Sequence, residues 1–430
     1  MEFRALRGTA DLLPEQLTRW ERLERTARKL ARRSGFEELR TPIIEDAGLF
    51  LRSVGETTDI VQKEMFSFED RGGRAIVLRP EGTAAVVRAY LEHGLQASGS
   101  VSKLFYLGPM FRAERPQAGR FRQFHQFGVE AIGSHQPWLD VEVITLCCNI
   151  LTACGAKNWK LLISSMGCRP DQEISREKLR QRFARLKPDL CKDCQARFDK
   201  NVFRLLDCKN PKCHATVVAI MAEFKESSPF SLCESCEKDF HHVREGLRAV
   251  GIDFDDKQFF ARGLDYYTRT VFELRGVGLG SQDTIAAGGR YDHLVEDFGG
   301  PPTGAVGFAA GIERLLMSIE ASGTTPATDG ARRGVYVAVP KPEFTVEAFR
   351  LAHELRGHGI VALIDVDQRS LKAQLREADK LQCQWVAILG EQELNDHSLT
   401  VKDLAQGSQR TLARDAFLKE LASQKHSCHS

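Results

Sequence analysis

A cluster of potentially reactive side chains lies in the segment FRAERPQAGRFRQF. Arg112, Arg115, Arg120 and Arg122 surround a Pro-Gln-Ala-Gly turn, with phenylalanines between them. The planar guanidinium group binds phosphate and carboxylate in a bidentate way, and a neighbouring aromatic ring can stack on adenine. A solvated hairpin tip is the alternative, but Arg112 and Arg122 lie in the strand stems, where a solvated face is less expected. The segment therefore indicates a polyphosphate site.

Two acidic residues are suited to holding a cationic or hydrogen-bonding ligand. In RPEGTAA, Glu81 and Thr83 lie between a strand and a helix. Glu81 can receive a substrate ammonium group, although a helix capped by Thr83 with a solvated Glu81 explains the same pattern. In QFHQFGVEAIG, the two-residue period of a strand puts Gln126, Gly128 and Glu130 on one face. Gly128 leaves room for a ligand there, whereas a solvent-facing polar stripe is the alternative.

A third segment, RGLDYYTRTVFEL, joins a cation and two phenols to a strand. Its second half alternates like a half-buried strand, and Arg262, Tyr266 and Tyr267 come before that half. The glycine-rich segments AAGGRYD and GAVGFAAGIERL bring flexible backbone close to a ligand, and the second runs into a helix that carries Arg314. Tight strand–helix packing with a surface Arg314 is the alternative. No helix signal follows GVGLG and the sequence has no P-loop, which excludes both of those nucleotide sites.

Cysteines are concentrated in one region of the chain. Two Cys-x-x-Cys pairs lie there, with Cys208 and Cys213 between them at a wider spacing. Such pairs resemble the ligand pairs of zinc ribbons, and reduced thiols packed among apolar side chains are the alternative. Four thiolates would close the coordination sphere, so any zinc there is structural. The hypothesis is a structural zinc held by Cys191, Cys194, Cys233 and Cys236.

The elements that position these residues predict two domains. Residues 1–325 read as α+β with an antiparallel sheet, and residues 170–250 within them read as an inserted helical, cysteine-rich subdomain. The segment FEELRTPIIED reads as one strand with Pro42 inside it, at an edge or interface because proline lacks an N–H. Residues 326–334 form a linker. Residues 335–430 alternate strand and helix, which predicts a small α/β domain with a mainly parallel sheet.

The composition is that of a soluble globular protein. The 430 residues include 60 basic and 58 acidic side chains, a balance that excludes a polybasic coat but not a local nucleic-acid patch. No apolar run approaches the roughly 20 residues that span a bilayer. The N-terminus has no apolar signal region. We therefore expect a cytoplasmic protein with no membrane association, and cysteines used for metal or packing rather than disulfides.

Taken in order, these segments resemble a class II aminoacyl-tRNA synthetase, specifically the bacterial-type histidyl-tRNA synthetases. The first helix with FEELRTPIIED is similar to the dimer-interface motif, with Pro42 at its marker position. PMFRAERPQAGRFRQFHQFGVE looks like the second class II motif and GAVGFAAGIERL like the third. RGLDYYTRTVFEL and RPEGTAA are similar to the segments that mark the histidine enzyme. The resemblance covers nearly the whole chain, except the cysteine-rich part of the insertion.

The resemblance implies an activity and a set of roles. The activity is ligation of L-histidine to tRNA(His), through histidyl-adenylate made from ATP with Mg²⁺, by a homodimer that pairs through the first motif. The α-amino group of histidine is held by Glu81, Thr83 and Gln126. The imidazole is held by Glu130 and Tyr267, with Tyr266 lining the same pocket. The implied histidine site comprises Glu81, Gly82, Thr83, Arg112, Gln126, Glu130, Arg262, Tyr266 and Tyr267.

The arginines are implied to serve ATP and catalysis. Arg112 binds the histidine carboxylate and the α-phosphate, and Arg314 binds the γ-phosphate. Arg262 stabilises the α-phosphate in the transition state, so Arg112 and Arg262 are the catalytic residues. The implied ATP site comprises Arg112, Arg120, Arg262 and Arg314.

The same resemblance implies how tRNA binds. Arg115 and Gln117, at the hairpin tip, would meet the acceptor end of tRNA, and residues 335–430 would read the anticodon. Those last 96 residues hold 12 Lys or Arg and 13 Asp or Glu, so bulk charge gives no support for RNA binding.

Two other functions compete with this one. One is a synthetase-like paralogue without aminoacylation, such as the regulatory subunit of ATP phosphoribosyltransferase. Such paralogues typically lack the C-terminal domain and the arginines, both of which this chain retains. The other is a zinc-dependent nucleic-acid-binding protein, which explains the insertion but neither the tyrosines nor the glutamates.

Overall fold

The structure is a computed structural model. It describes residues 3–55, 58–117, 119–206, 208, 210–222, 230–257, 260, 264–276, 283–323 and 332–426. The chain divides into two compact units, residues 1–326 and 327–430. None of the described helices combines the length and apolar content that a bilayer crossing needs.

The first unit contains ten α-helices and ten strands among its described residues. The helices are α1 Pro14–Arg33, α2 Ala47–Val54, α3 Thr83–Glu92, α4 Trp138–Cys154, α5 Arg169–Phe183, α6 Lys192–Lys200, α7 Pro211–Ala222, α8 Glu234–Ala249, α9 Leu294–Asp297 and α10 Ile312–Ala321. The strands are β1 Glu37–Glu38, β2 Ile44–Asp46, β3 Phe66–Glu69, β4 Ala75–Leu78, β5 Ser102–Phe111, β6 Gln123–Ile132, β7 Trp159–Ser165, β8 Thr268–Gly276, β9 Thr284–Arg290 and β10 Ala305–Gly311.

A seven-stranded sheet organises this unit, in the order β1-β5-β6-β10-β9-β8-β7. Only β1 is parallel to its neighbour; the other pairs are antiparallel. Successive residues of a strand point to opposite faces, and Phe105 and Tyr106 accordingly belong to different cores. Phe105 packs on the side covered by α1, α4 and α8, whereas Tyr106 faces the insertion and the tyrosines of RGLDYYTRTVFEL. The predicted α+β class with an antiparallel sheet is confirmed.

The sequence predicted that the segment FEELRTPIIED forms one strand, and this prediction is wrong. It forms β1 at the edge of the large sheet and β2 in a separate three-stranded sheet of order β2-β4-β3. Pro42 lies between the two strands. Because proline cannot donate to a ladder, the chain leaves one sheet there and joins the other. The second sheet matters for the site because its central strand, β4, leads through RPEGT into α3.

The insertion is helical in the part that the structure describes. Helices α5 to α8 span it without a named strand. Its apolar side chains, including Phe203 and Leu205, share one core with Tyr266 and Tyr267. Helices α5 to α7 therefore pack on the same face of the large sheet as those tyrosines, whereas α8 packs on the opposite face.

The second unit is built on a five-stranded sheet of order β12-β11-β13-β14-β15. Its elements are β11 Val335–Ala338, α11 Thr345–Gly357, β12 Ala362–Ile364, α12 Leu371–Lys380, β13 Trp385–Ile388, α13 Glu391–Asn395, β14 Ser398–Asp403, β15 Gln409–Ala413 and α14 Arg414–His426. The first three strands in chain order are parallel, as the alternation of strand and helix predicted. The last two form an antiparallel hairpin, so the sheet is mixed rather than mainly parallel.

Candidate active site

One cavity on the large sheet gathers most of the polar residues that the sequence singled out. Its empty volume, counting the open mouth, is about 950 Å³. The residues that line it and were predicted for a site are Glu81, Thr83, Arg112, Arg120, Gln126, Glu130, Tyr266, Tyr267 and Arg314. Strands β5, β6, β8, β9 and β10 and the turn before α3 bring them together although they lie more than 200 residues apart in the chain.

Glu81 is a buried carboxylate held by backbone. It accepts hydrogen bonds from the N–H groups of Thr83 at 2.7 Å and Ala84 at 2.8 Å, at the start of α3. The capping interpretation is therefore partly right, but Glu81 rather than Thr83 supplies the cap, and it is 4% exposed rather than solvated. Burial raises the pKa of Glu81 against the effect of these hydrogen bonds.

Glu130 is a second buried carboxylate, joined to the first through Thr83. The Thr83 hydroxyl donates to it at 2.7 Å, and the Tyr291 hydroxyl donates to its other oxygen. Burial raises the pKa of Glu130 to about 8, and the charge of Glu81 adds to the rise. Gly307 on β10 makes this position possible, since a methyl group there would overlap the Glu130 carboxylate. The two acids are thus side by side, little hydrated, and poised to receive donors.

Tyr266 and Tyr267 form the wall beside Glu130. Both rings are buried and lie 4.8 Å apart, and Tyr266 meets the edge of Tyr291 at 5.7 Å. A side chain of the insertion holds the main chain at Tyr267: the Nε2 group of Gln172 on α5 donates a hydrogen bond to the carbonyl of Tyr267 at 3.0 Å. The tyrosines directly precede the first residue of strand β8, as the sequence predicted.

Gln126 lies on the cavity side of β6 together with Glu130, as the strand period predicted. Its Oε1 is buried, and among the described residues no donor reaches it. Gly128, between them, does not leave room for a ligand: the ring of Tyr106 fills that space. The same ring lies against Gly82, so both glycines serve to admit Tyr106.

Arg112 is oriented by the turn that carries Glu81. Its Nε donates to the carbonyl of Pro80 at 2.9 Å, and its guanidinium carbon lies 5.3 Å from the centre of the Phe124 ring. Nε is occupied, Arg112 lines the cavity, and Glu114 lies 3.9 Å from one of its terminal nitrogens. A cation held in this way needs little reorganisation to meet an anionic ligand.

Two further arginines lie at the other end of the cavity. Arg120 pairs with Glu114 at 2.5 Å. Arg314 donates Nε to the carbonyl of Gly119 at 3.0 Å and a terminal nitrogen to the carbonyl of Thr284 at 2.9 Å. These contacts hold the hairpin tip against β9 and α10. The cavity is therefore acidic where Glu81 and Glu130 lie and basic where Arg120 and Arg314 lie, with Arg112 between the two parts.

Four residues of the predicted histidine, ATP and tRNA sites are not in this lining. Arg115 and Gln117 are exposed on the hairpin tip. Gly82 lies beneath Tyr106. Arg262 lies outside the residues that the structure describes.

The comparison with known proteins is extensive. The model of a family described as histidyl-tRNA synthetase matches residues 8–171 and 231–315, and that of an anticodon-binding domain matches residues 334–424. The histidine–tRNA ligase of Moorella thermoacetica is 46% identical over 423 residues, 98% of each chain. The chain belongs to the histidyl-tRNA synthetase family. The histidine–tRNA ligase of Anoxybacillus flavithermus is 45% identical over 428 residues, covering 98% of this chain and 99% of that one.

Solved structures agree with this membership of the histidyl-tRNA synthetase family. The apo histidyl-tRNA synthetase of S. aureus superposes with a TM-score of 0.80 at 34% identity, covering 98% of this chain and all of that one. A Bacillus halodurans protein titled as an ATP phosphoribosyltransferase regulatory subunit/histidyl-tRNA synthetase has a TM-score of 0.65 at 21% identity, which shows likeness of fold alone. The family model does not match residues 172–230, most of the insertion.

Sequence reasoning missed several residues of this synthetase cavity. Tyr291 and Gly307 lie in AAGGRYD and GAVGFAAGIERL, which were flagged for their glycines, but neither was connected with Glu130. Tyr106 gave no signal, because an aromatic residue in a strand is most simply explained as core. Glu313 also lines the cavity; it accepts from the backbone N–H of His125 at 2.9 Å and contacts its ring.

The cysteines of the insertion do not form the predicted set. Cys191 and Cys194 converge with Cys208 and Cys213, whereas Cys233 and Cys236 converge with Cys168 and Asp171. The second group brings the start of α5 and the start of α8 together. The assumption that the two Cys-x-x-Cys pairs bind together was therefore wrong, because the helices that follow each pair lie in different parts of the insertion.

Proposed function

We propose that this protein ligates L-histidine to tRNA(His) in two steps. The first makes histidyl-adenylate from histidine and ATP with release of pyrophosphate, and the second transfers histidine to the 3′ terminal adenosine. The observation that carries the proposal is the polarity of the cavity: Glu81 and Glu130 lie buried at one end, joined through Thr83, and Arg112, Arg120 and Arg314 lie towards the other. A zwitterion with a side chain that donates hydrogen bonds fits the first end, and a polyphosphate fits the second.

Histidine is proposed to lie with its ammonium group at Glu81 and Gln126 and its imidazole at Glu130. An ionised Glu130 accepts the imidazole N–H, while Tyr267 and Tyr266 close the pocket around the ring. A buried site that pairs both ring nitrogens rejects amino acids that cannot make the same pairs, since their binding would leave polar groups unsatisfied. The proximity of Glu130 to the tyrosines supports this assignment.

Activation is proposed as in-line attack of the histidine carboxylate on the α-phosphate. Two anions must approach, and charge grows on the phosphate oxygens, so fixed cations directed there provide the largest catalytic effect. Arg112 is proposed to hold the carboxylate and the α-phosphate, and Arg314 the γ-phosphate, with Arg120 beside them. Arg262 keeps its proposed role at the α-phosphate on the strength of the family resemblance.

Mg²⁺ is proposed to enter with ATP. Glu114 and Glu313 line the arginine end of the cavity, and their carboxylate oxygens are of the type that Mg²⁺ prefers. The ion would neutralise phosphate charge beside the arginines.

For the second step, Arg115 and Gln117 are proposed to contact the acceptor end of tRNA, and their exposure supports this. The unit formed by residues 327–430 is proposed to read the anticodon, which the family match supports. A cytoplasmic location stays a prediction.

Charging of tRNA tests the whole proposal. Purified protein, ATP and unfractionated tRNA are incubated with each labelled amino acid in turn, and acid-precipitable label is counted. Histidine alone should be incorporated, with AMP rather than ADP as the nucleotide product. Incorporation of another amino acid, or production of ADP, is incompatible with the proposal.

Histidine binding is expected to release a proton near neutral pH. With a pKa of about 8, Glu130 is mostly protonated at pH 7 in the empty pocket, yet it must be ionised to accept an imidazole N–H. Affinity should therefore rise with pH, roughly fivefold between pH 7 and 8, and level off above the pKa. Isothermal titration in two buffers of different ionisation enthalpy measures the released proton. Equal heats and a flat affinity would mean that Glu130 binds in its protonated form.

A homodimer through the first motif is proposed because apolar side chains of that segment are exposed. Ile43 and Ile44 are 40% and 52% exposed. Ile44→Asp should weaken dimerisation on the order of 100-fold, since a two-fold interface contains Ile44 twice and loses the burial of both copies. Sedimentation equilibrium gives the dissociation constant, and Val250→Asp, at an exposed valine after α8, is the control. A monomeric wild-type protein, or an unchanged constant in the Ile44 variant, contradicts the proposal.

A further inference from the structure

Four cysteine sulfurs converge inside the insertion. Cys191 and Cys194 flank the first turn of α6, Cys208 precedes α7, and Cys213 lies in the first turn of α7. Their sulfur atoms all lie within 4.8 Å of one another, and Cys191 and Cys208 are 3.8 Å apart. A tetrahedron with metal–sulfur bonds of ~2.3 Å has an edge of about 3.8 Å. All but Cys191 are buried, so the group is enclosed as a structural metal site is.

A second group joins the start of α5 to the start of α8. Cys168 and Asp171 begin α5, and Cys233 and Cys236 begin α8. Their ligand atoms also lie within 4.8 Å of one another. Asp171 is 3% exposed and accepts the backbone N–H groups of Cys233 at 3.0 Å and Cys168 at 3.2 Å. These hydrogen bonds hold the residues that directly precede α5 and α8. Each carboxylate oxygen of Asp171 has a further lone pair that can bind a metal.

We propose that the insertion binds two zinc ions, one in each group. Four thiolates, or three thiolates and a carboxylate, supply four ligands in each site, and tetrahedral sulfur-rich sites favour zinc. Cys194, Cys208 and Cys213 belong to an apolar core, but apolar packing alone does not require four ligand atoms to lie within 4.8 Å of one another, as they do in each group. A disulfide does not explain it either, since its sulfurs are about 2.05 Å apart and it would leave two ligands unused.

Both zinc ions stabilise structure that touches the cavity. Behind the four-cysteine site, Asn201 donates to the Asp265 carboxylate at 2.9 Å, and Arg204 lies 3.5 Å from the same oxygen. Asp265 directly precedes the tyrosine pair, so the first site supports the turn that carries Tyr266. The second site anchors the start of α5, where Gln172 holds the Tyr267 carbonyl. Each ion is a structural element of one wall of the pocket, with no open coordination position.

Metal content of the full-length protein tests the proposal. Protein purified without chelator should contain two equivalents of zinc by plasma mass spectrometry. Cys194→Ser and Cys236→Ser should each retain one, and Cys154→Ser, which removes a half-buried thiol outside both groups, should retain two. A wild-type content of one equivalent or less overturns the two-site proposal, as does iron in place of zinc.

Wild-type protein provides a second test that does not depend on how the variants fold. Titration with a mercurial reagent caps the thiols, and a colorimetric zinc indicator records the metal set free. Two equivalents of zinc should appear as the cysteines of the insertion are capped. Capping of all the thiols without release of zinc overturns the proposal.

The KM for histidine shows whether the zinc ion in the four-cysteine site supports the pocket or is merely bound. Cys194→Ser should raise the KM for histidine several-fold in pyrophosphate exchange, while Cys154→Ser leaves it unchanged. This readout rests on the proposed function, whereas the metal content does not, so failure of one is distinguishable from failure of the other. An unchanged KM in a Cys194→Ser protein that has lost one zinc would overturn the link to the pocket.

Discussion

Arg112→Ala is expected to slow histidine-dependent pyrophosphate exchange on the order of 10²–10³-fold in kcat, the usual cost of removing one preorganised group that stabilises transition-state charge. The hydrogen bond from its Nε to Pro80 fixes the guanidinium before any ligand binds, so its charge is available without reorganisation. The measurement is steady-state exchange at saturating ATP, with histidine varied.

Two further variants show whether the effect belongs to the guanidinium group. Arg112→Lys should recover little activity, because an ammonium group cannot hold the Pro80 carbonyl and a bidentate anion at once. Arg115→Ala, on the exposed tip of the same hairpin, should leave exchange unchanged and slow only the charging of tRNA. Full activity of Arg112→Lys would mean that only the positive charge of Arg112 matters and not the guanidinium group. Full activity of Arg112→Ala would mean that Arg112 has no part in the mechanism.

Glu130→Gln is expected to lower kcat/KM for histidine on the order of 10- to 100-fold, mainly through KM, because a hydrogen bond to a charged group is lost. The amide is nearly the same size, so Tyr291 and Thr83 keep a partner and the fold is retained. The released proton should disappear in this variant, which connects the loss of affinity with the raised pKa of one carboxyl. Titration calorimetry and exchange kinetics on the same preparation give both quantities.

The matched control is Glu273→Gln on β8. Glu273 is also buried, but it pairs with Arg275 and does not line the cavity. Its amide variant should keep both the histidine affinity and the proton release of the wild type. Loss of proton release in Glu273→Gln, or its persistence in Glu130→Gln, would assign the titrating group elsewhere.

The cavity residues that sequence reasoning found share one property: their local pattern already implied where they point. The two-residue period of β6 put Gln126 and Glu130 on one face, and the strand–turn–helix pattern put Glu81 at the start of α3. In both cases the side chain's direction depends only on its own element. The structure confirms those directions.

The residues that sequence reasoning missed depend on packing between distant elements. Gly307 matters because β10 lies beside β6 and a larger residue would displace Glu130. The choice of partners for each Cys-x-x-Cys pair depends on how four helices fold over one another. FEELRTPIIED was read as one strand because periodicity does not show that the chain changes sheets at Pro42. The sequence pattern of a single helix or strand does not reveal any of these contacts.

The most direct test of the central claim is ATP–pyrophosphate exchange by the wild-type protein, without tRNA, for each of the twenty amino acids. Exchange that requires histidine, and that no other amino acid supports, is the predicted result, because the proposed pocket of Glu130 and the two tyrosines is matched to an imidazole. Exchange with a different amino acid, or no exchange with any of the twenty, would contradict the account.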